Sequence, residues 1–467
     1  MGTYISRIPS LHTPPEIKDV YKEAVKFEKG NGVEVDLPKA AQLYKRAADA
    51  GYDKAQVCYG NMCLKGEGVA QSNREAFKYF KKAAKNYNWE GKLSTGICYF
   101  EGIGTFRNAL YAIFHIKACA KILHPKGQFY YGKCLHDGYG CSSDIAFAIA
   151  NLGCSYLAGY TPSKQLFDQY LTETTIDALR KKYDFLVVRK KFLGPALELA
   201  MADLGDVASM YSVAIKALKG EGMRLNYDLS FEYANKAAEQ GHFPSHHLLG
   251  YLYINGYGCD KDPSKALLHY KTASDGGYVN SHFNVGLLYM NSSNYEEAHR
   301  YFQLAIDNDS AEGFYFMAKL YREGKGVESD ESKYEEYLEE SSKRGYFRAL
   351  HEHGMYCYEK GKYDKAFKSL INAARYGDSL TYKYIGRIYE KGYGVEKNEK
   401  EAFEWYRLGA MQCEDLDCVM SAAKCLQKGI GTESNDEEAK RYYRKAADKG
   451  NEKAQRKLRE MESEGNE

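Results

Sequence analysis

The chain has 467 residues, 44% hydrophobic and 27% charged, which is more than one compact core holds and calls for several domains or an extended array. Its 65 basic and 63 acidic residues almost cancel, leaving +2, which predicts no general attraction to nucleic acid or to an acidic membrane. No stretch approaches the ~20 apolar residues of a membrane-spanning helix, and 43 tyrosines and 43 glycines beside only 9 prolines suit helices parted by short glycine turns.

Residues 1–15, with Pro9, Pro14 and Pro15, read as a flexible lead. They lack the apolar run of a secretory signal. Gly2 and Ser6 match the start of an N-myristoylation site, a short match that arises readily by chance and an acyl chain that would anchor only marginally.

Beyond the lead, Gly-x-Gly recurs at 30, 66, 102 and 138, each 36 residues apart, then at 220 and 256, then at 324, 392 and 429. A phosphate-cradling glycine loop occurs once, between a strand and a helix; an evenly spaced series is a structural period instead. The steps of 68 from 256 to 324 and from 324 to 392 leave room for shorter units whose turns, at 290–298 and 359–366, have lost the pair.

The flanks repeat as well. Six residues before the glycines stands a small residue, as at Gly60, Gly132 and Gly386, and fourteen after them a large apolar one, as at Phe80, Leu152 and Tyr406. The exception is Ala234, where Tyr233 can substitute. The segment before the glycines has a 3.6-residue apolar period and predicts a helix, which the first glycine ends. Asp36, Ser72 or Asp262-Pro263 then starts a second helix, and a further glycine often ends that one. Such a hairpin cannot bury its apolar stripe alone; stacking buries it.

Eleven hairpins result, at roughly 16–51, 52–88, 89–123, 124–160, 207–242, 243–278, 279–310, 311–346, 347–378, 379–414 and 415–451. Residues 16–160 form an N-terminal array of four and 207–451 a C-terminal array of seven. Between them, 161–206 reads as a degenerate repeat or hinge, with a short helix near 163–172 and a longer one from about 176. Its basic residues Arg180, Lys181, Lys182, Arg189, Lys190 and Lys191 read as a solvated helix face. The charged segment 452–467 is a capping helix and tail.

These residues resemble the SEL-one-like repeat (SLR) family, relatives of tetratricopeptide (TPR) repeats. GEGVAQSNREAFKYFKKAA (66–84) and GYGVEKNEKEAFEWYRLGA (392–410) follow its pattern closely, whereas 279–310 and 347–378 resemble the shorter tetratricopeptide form. The resemblance implies an all-α fold, a right-handed superhelical α-solenoid of about eleven to twelve hairpins, with the first helices lining a concave face. It also implies scaffold or adaptor work, without naming a partner.

On each first helix, the residues nine and five before the first glycine share a stripe facing away from the partner helix. That candidate peptide-binding stripe contains Phe129, Lys133, Tyr211, His247, Tyr251, Phe283, Tyr315, Lys319, His351, Lys383, Arg387 and Lys424. Its middle is aromatic and its C-terminal end basic, which would suit a peptide with an acidic end. The competing reading is that the aromatics pack against the next unit.

No histidines form HxxxH or HExxH with an acidic partner, no GxSxG is present, and no cysteine–histidine pair has local support, so no catalytic, metal or cofactor residue is expected. The twelve cysteines form no CxxC; Cys98, Cys134 and Cys425 share one core position, and reduced thiols in the cytoplasm are expected. Some secreted bacterial members of the resembled family are cysteine-rich and proposed to act on β-lactams or peptidoglycan. That hydrolase is the alternative function, against which stand the cysteine-free stretches 155–258 and 260–356. The expectation is a non-catalytic scaffold for a protein or peptide partner, with no nucleic-acid ligand.

Overall fold

The computed structural model describes residues 13–189 and 193–464. Most of the expected lead, including Gly2, lies outside the described residues, as do Lys190, Lys191 and the side chain of Arg189. Among the described residues are 26 α-helices and no strand. The chain divides into two compact units, 1–261 and 262–467. Each is an α-solenoid of stacked hairpins.

The first unit opens with four hairpins: α1 (Pro15–Lys29) with α2 (Leu37–Asp49), α3 (Asp53–Lys65) with α4 (Asn73–Lys85), α5 (Trp89–Glu101) with α6 (Ala109–Lys121), and α7 (Pro125–Asp137) with α8 (Ile145–Leu157). Then come α9 (Pro162–Leu171), α10 (Ile176–Arg189), α11 (Gly194–Asp203), the hairpin α12 (Val207–Lys219)–α13 (Tyr227–Glu239), and α14 (Phe243–Asn255). The second unit begins with α15 (Pro263–Asp275). Five hairpins follow: α16 (Asn280–Asn291)–α17 (Tyr295–Asp307), α18 (Ala311–Glu323)–α19 (Glu331–Lys343), α20 (Phe347–Glu359)–α21 (Tyr363–Arg375), α22 (Tyr382–Lys391)–α23 (Glu399–Gln412) and α24 (Leu416–Lys428)–α25 (Asp436–Asp448). The last described helix, α26 (Glu452–Glu464), packs on α25 and buries Ala454 and Met461.

The second hairpin shows why the glycines come in pairs. Gly66 ends α3 in the left-handed conformation, and its N–H donates to the Met62 carbonyl at 2.8 Å. Gly68 is also left-handed, but its task is contact: a Cβ there would lie 2.2 Å from the Leu37 carbonyl oxygen at the start of α2. The same approach recurs at Gly104 (2.0 Å from the Asn73 oxygen) and Gly431 (2.0 Å from the Glu399 oxygen). One glycine stops a helix; the other seats the loop on the preceding hairpin. Ser72 then accepts from the Glu75 N–H (3.3 Å) and starts α4.

The small and large positions meet inside each hairpin. A Cβ on Gly60 would stand 2.6 Å from Phe80, one on Gly132 2.9 Å from Leu152, and one on Gly386 2.5 Å from Tyr406. All three large side chains are buried, each contributing about 1.5–3 kcal/mol of transfer free energy. Where Ala234 breaks the pattern, Tyr233 is buried instead and donates its hydroxyl to Asp203.

Segment 161–206 departs from expectation. The single long helix expected from about 176 is two, α10 and α11, because Pro195, which lacks an N–H, opens a new helix at its first turn. Helix α11 packs against both α8 and α12 within the first unit. It buries Glu198, whose carboxylate accepts from the Tyr183 hydroxyl (2.7 Å), the Ser212 hydroxyl (2.7 Å) and the Lys216 ammonium. The expected solvated basic face is partly a set of clips, since Arg180 binds Asp206 at 2.9 Å and Lys182 binds Asp144. Lys181 is exposed.

Candidate functional site

Hairpin stacking places the candidate stripe residues on first helices at one recurring phase, and their neighbours decide what each can do. In the first unit, Phe129 leans edge-on against Tyr160, ring centres 5.4 Å apart, and Lys133 lies 5.1 Å from the Phe100 ring. Tyr211 packs against the His242 ring at 5.0 Å. Burial pulls the His247 pKa down to about 4, so its ring is neutral near pH 7. Tyr251, 42% exposed, presents its ring to solvent.

In the second unit, Phe283 turns inward onto Phe316 (5.4 Å) and Phe302 (6.2 Å) and belongs with the core, as the packing alternative held. Tyr315 is buried too, but its hydroxyl donates to Glu352 at 2.9 Å, and Lys319 lies 5.2 Å from its ring. His351 pairs through Nδ1 with Asp378 at 2.6 Å. The basic end already has carboxylates. Lys383 stands 3.5 Å from both Asp415 and Asp417, Arg387 3.5 Å from Asp417, and Lys424 4.0 Å from Glu390. Such half-exposed pairs hold about 0–1 kcal/mol each, so a ligand carboxylate can compete for them.

Tyr315 and His351 line an open cleft of about 660 Å³ formed by α18, α20 and the turn between α21 and α22. On one wall, Glu352 accepts from Arg322 (2.7 Å), Tyr334 (3.1 Å) and Tyr315. Burial, then the Glu352 carboxylate, raises the pKa of both tyrosine hydroxyls, which keeps them donors. The rim carries Phe347, Tyr376 and Leu380, all exposed, and Arg348, which has no carboxylate within ion-pair distance among the described residues. Sequence periodicity missed these rim residues because they sit at a helix start and in a turn, off the stripe. Two signals were available: the aromatic-basic pair Phe347-Arg348, and apolar Tyr376 and Leu380 flanking a turn.

The structure also corrects the reading that no cysteine–histidine pair has support. His353 Nε2 lies 3.3 Å from Cys357 Sγ, and Nδ1 lies 2.8 Å from the Ser369 hydroxyl, itself 3.1 Å from Ser342. One helical turn on α20 makes the pair. All four side chains are buried. Burial raises the thiol to about 11 and lowers the imidazole, so both are neutral and the group is a satisfied polar core, not a thiolate nucleophile. Among the described residues, no three His, Cys, Asp or Glu side chains converge as a metal ion would require.

Two-helix repeats, most of them cornered by paired glycines, define a repeat scaffold. Eleven segments match the Sel1 repeat model, at 27–52, 54–88, 92–118, 125–160, 207–242, 244–278, 279–310, 312–346, 348–376, 382–412 and 418–451, and the chain belongs to that family. It is 26% identical over 165 residues to the ERAD-associated E3 ubiquitin-protein ligase component HRD3B of Arabidopsis thaliana, spanning 34% of this chain and about a fifth (19%) of that relative. Among solved structures, an SLR-fold protective antigen present in uropathogenic Escherichia coli strains aligns over 99% of this chain and 91% of its own, with 19% identity and a TM-score of 0.48. A Sel1 repeat protein from Oxalobacter formigenes aligns over 69% and 96%, with 16% identity and a TM-score of 0.26.

Proposed function

We propose that this Sel1-repeat protein is a non-catalytic scaffold that holds a peptide segment of a partner protein in the second unit's cleft. The observation that carries this is the cleft of about 660 Å³, whose rim joins exposed Phe347, Tyr376 and Leu380 to Arg348, which has no carboxylate partner among the described residues. An apolar side chain of the ligand covers the aromatic rim, and an adjacent carboxylate meets Arg348. Lys383 and Arg387, held by weak ion pairs, extend the site toward the C-terminal end of the stripe. HRD3B is by name an E3 ubiquitin-protein ligase component, which accords with scaffold work. The twelve free cysteines accord with a reducing compartment such as the cytoplasm.

The test is selection of a random peptide library on the full chain. Enriched peptides should carry a large apolar residue beside a carboxylate and lose at least about tenfold in affinity to an Arg348→Ala/Tyr376→Ala variant, the ~1.4 kcal/mol expected of one rim anchor. Equal binding by that variant would refute the assignment.

A further inference from the structure

The whole-chain charge of +2 conceals a strong local asymmetry. Between residues 76 and 136 there are ten lysines and arginines and only two acids, Glu90 and Glu101; from 102 to 136 there is no acid at all. The repeat turns this composition into a surface. Helix α4 presents Arg74, Lys78, Lys81 and Lys85 outward, all exposed. At 100° per residue these four span an arc of about 60°. Helix α6, 36 residues on, presents Leu110, Phe114, Lys117 and Lys121 in the same register, also exposed.

The two rows adjoin through aromatic contacts. Phe77 on α4 meets Tyr99 at 5.2 Å, and Tyr99 stacks on Tyr111 of α6 at 5.2 Å. The Lys92 ammonium lies 5.0 Å from the Trp89 ring and 5.9 Å from Phe114. The loop into α6, seated on the start of α4 through Gly104, carries Phe106. Phe106 is 93% exposed, Leu110 74% and Phe114 66%. Lys78 and Lys82 are paired with Glu75 and Asp49, but Lys81, Lys85, Lys92, Lys117 and Lys121 have no ion-pair partner among the described residues.

The other repeats serve as internal controls. At the same register α13 carries Asp228, Glu232, Asn235 and Glu239, and α25 carries Glu437, Arg441, Arg444 and Asp448. The next helix along, α8, has Ala146, Ala150, Gly153 and Leu157 there and packs against α11. At this register the face is acidic on α13 and mixed in sign on α25, whereas α4 and α6 carry only cations there, beside the exposed Phe106, Leu110 and Phe114.

We infer that the α4–α6 face docks on an anionic lipid surface. Lysine stems lie along apolar surface while their ammoniums reach the headgroups, and phenylalanine, leucine and tryptophan enter the boundary between headgroup and acyl chain. A nucleic acid would satisfy the cations but leave Leu110, Phe106 and Phe114 facing a phosphate backbone. The exposed side chains stand on helix crests and a loop tip, which suits a deformable surface better than a rigid protein partner. The inference is independent of Gly2.

The experiment uses the unacylated full chain with Trp405→Phe, which leaves Trp89 as the one tryptophan. It is floated with vesicles of phosphatidylcholine alone or with about 30% phosphatidylserine, at about 0.1 M ionic strength. Binding should require phosphatidylserine, shift Trp89 emission to the blue, and weaken about thirtyfold in Lys81→Gln/Lys117→Gln, from ~1 kcal/mol per cation. Phe114→Ser should also weaken it, whereas Arg441→Gln/Arg444→Gln, with the same change in net charge, should not. No binding to the anionic vesicles overturns the inference. So does equal loss in the control variant, or binding without any Trp89 shift or Phe114 effect, which would mark a purely electrostatic surface suited to an acidic protein or nucleic acid.

Discussion

Alanine at Gly68 should separate two costs that the Gly-x-Gly pair combines. The left-handed backbone there, at φ +66°, carries about 1–2 kcal/mol for any L-residue with a Cβ. The new methyl would also stand 2.2 Å from the Leu37 oxygen and 2.3 Å from its carbonyl carbon, so the loop must lift off α2. Overpacking of this kind costs about 1–3 kcal/mol, for a total of roughly 2–5 kcal/mol. Gly32 supplies the control: it has the same backbone, φ +77°, with nothing within 4 Å among the described residues. Gly32→Ala should cost only about 1–2 kcal/mol. The difference is the inter-hairpin contact. Urea unfolding followed by circular dichroism, with amide exchange read over α2 and the 66–72 loop, measures it. Gly68→Ala should lower the midpoint further and speed exchange in the first two hairpins, leaving α24–α25 unchanged, because repeats couple to their neighbours. If the two variants melt alike and exchange alike, the account of the second glycine is wrong.

Under native conditions a thiol reagent should modify at most five cysteines rapidly, Cys58, Cys141, Cys154, Cys259 and Cys413, and all twelve in denaturant, since the other seven are buried. His136 stacks on Tyr170 at 3.7 Å and lies 2.7 Å from Asp137 and 2.9 Å from Glu173. Burial pulls its pKa down, but bonds to the two carboxylates outweigh that and hold it above the usual histidine range. A raised folded pKa stabilises fully below about 6.5 and the gain is lost as pH rises through the folded value. Amide protection in α9, corrected for intrinsic rate, should therefore fall as pH rises from about 6.5 through the folded value, and His136→Gln should abolish the change. Phe302→Ala empties a fully buried site beside Phe283 and Phe316 and should destabilise the second unit by about 3–5 kcal/mol, measured by urea unfolding.

The helices, their order and the hairpin unit were legible in the sequence because period and punctuation are local. A 3.6-residue apolar rhythm ending at a glycine specifies a helix and its end wherever it occurs, and Gly60 with Phe80 or Gly386 with Tyr406 recur at the spacing that makes them touch. Even the break at Pro195 has a local cause, though the long apolar run around it hid the boundary between α10 and α11. The candidate site was legible only as a phase on a helix. Phase says which way a side chain leaves its helix, not what stands opposite. Tertiary packing turned Phe283 into core, gave Lys383 and Arg387 an acidic neighbour in Asp417, and brought Phe347, Tyr376 and Leu380 around one cleft. It also gave the second glycine its reason. A left-handed corner can be read from one turn, but the carbonyl 2.2 Å from Gly68 belongs to the hairpin before it, and only the stacked chain brings the two together.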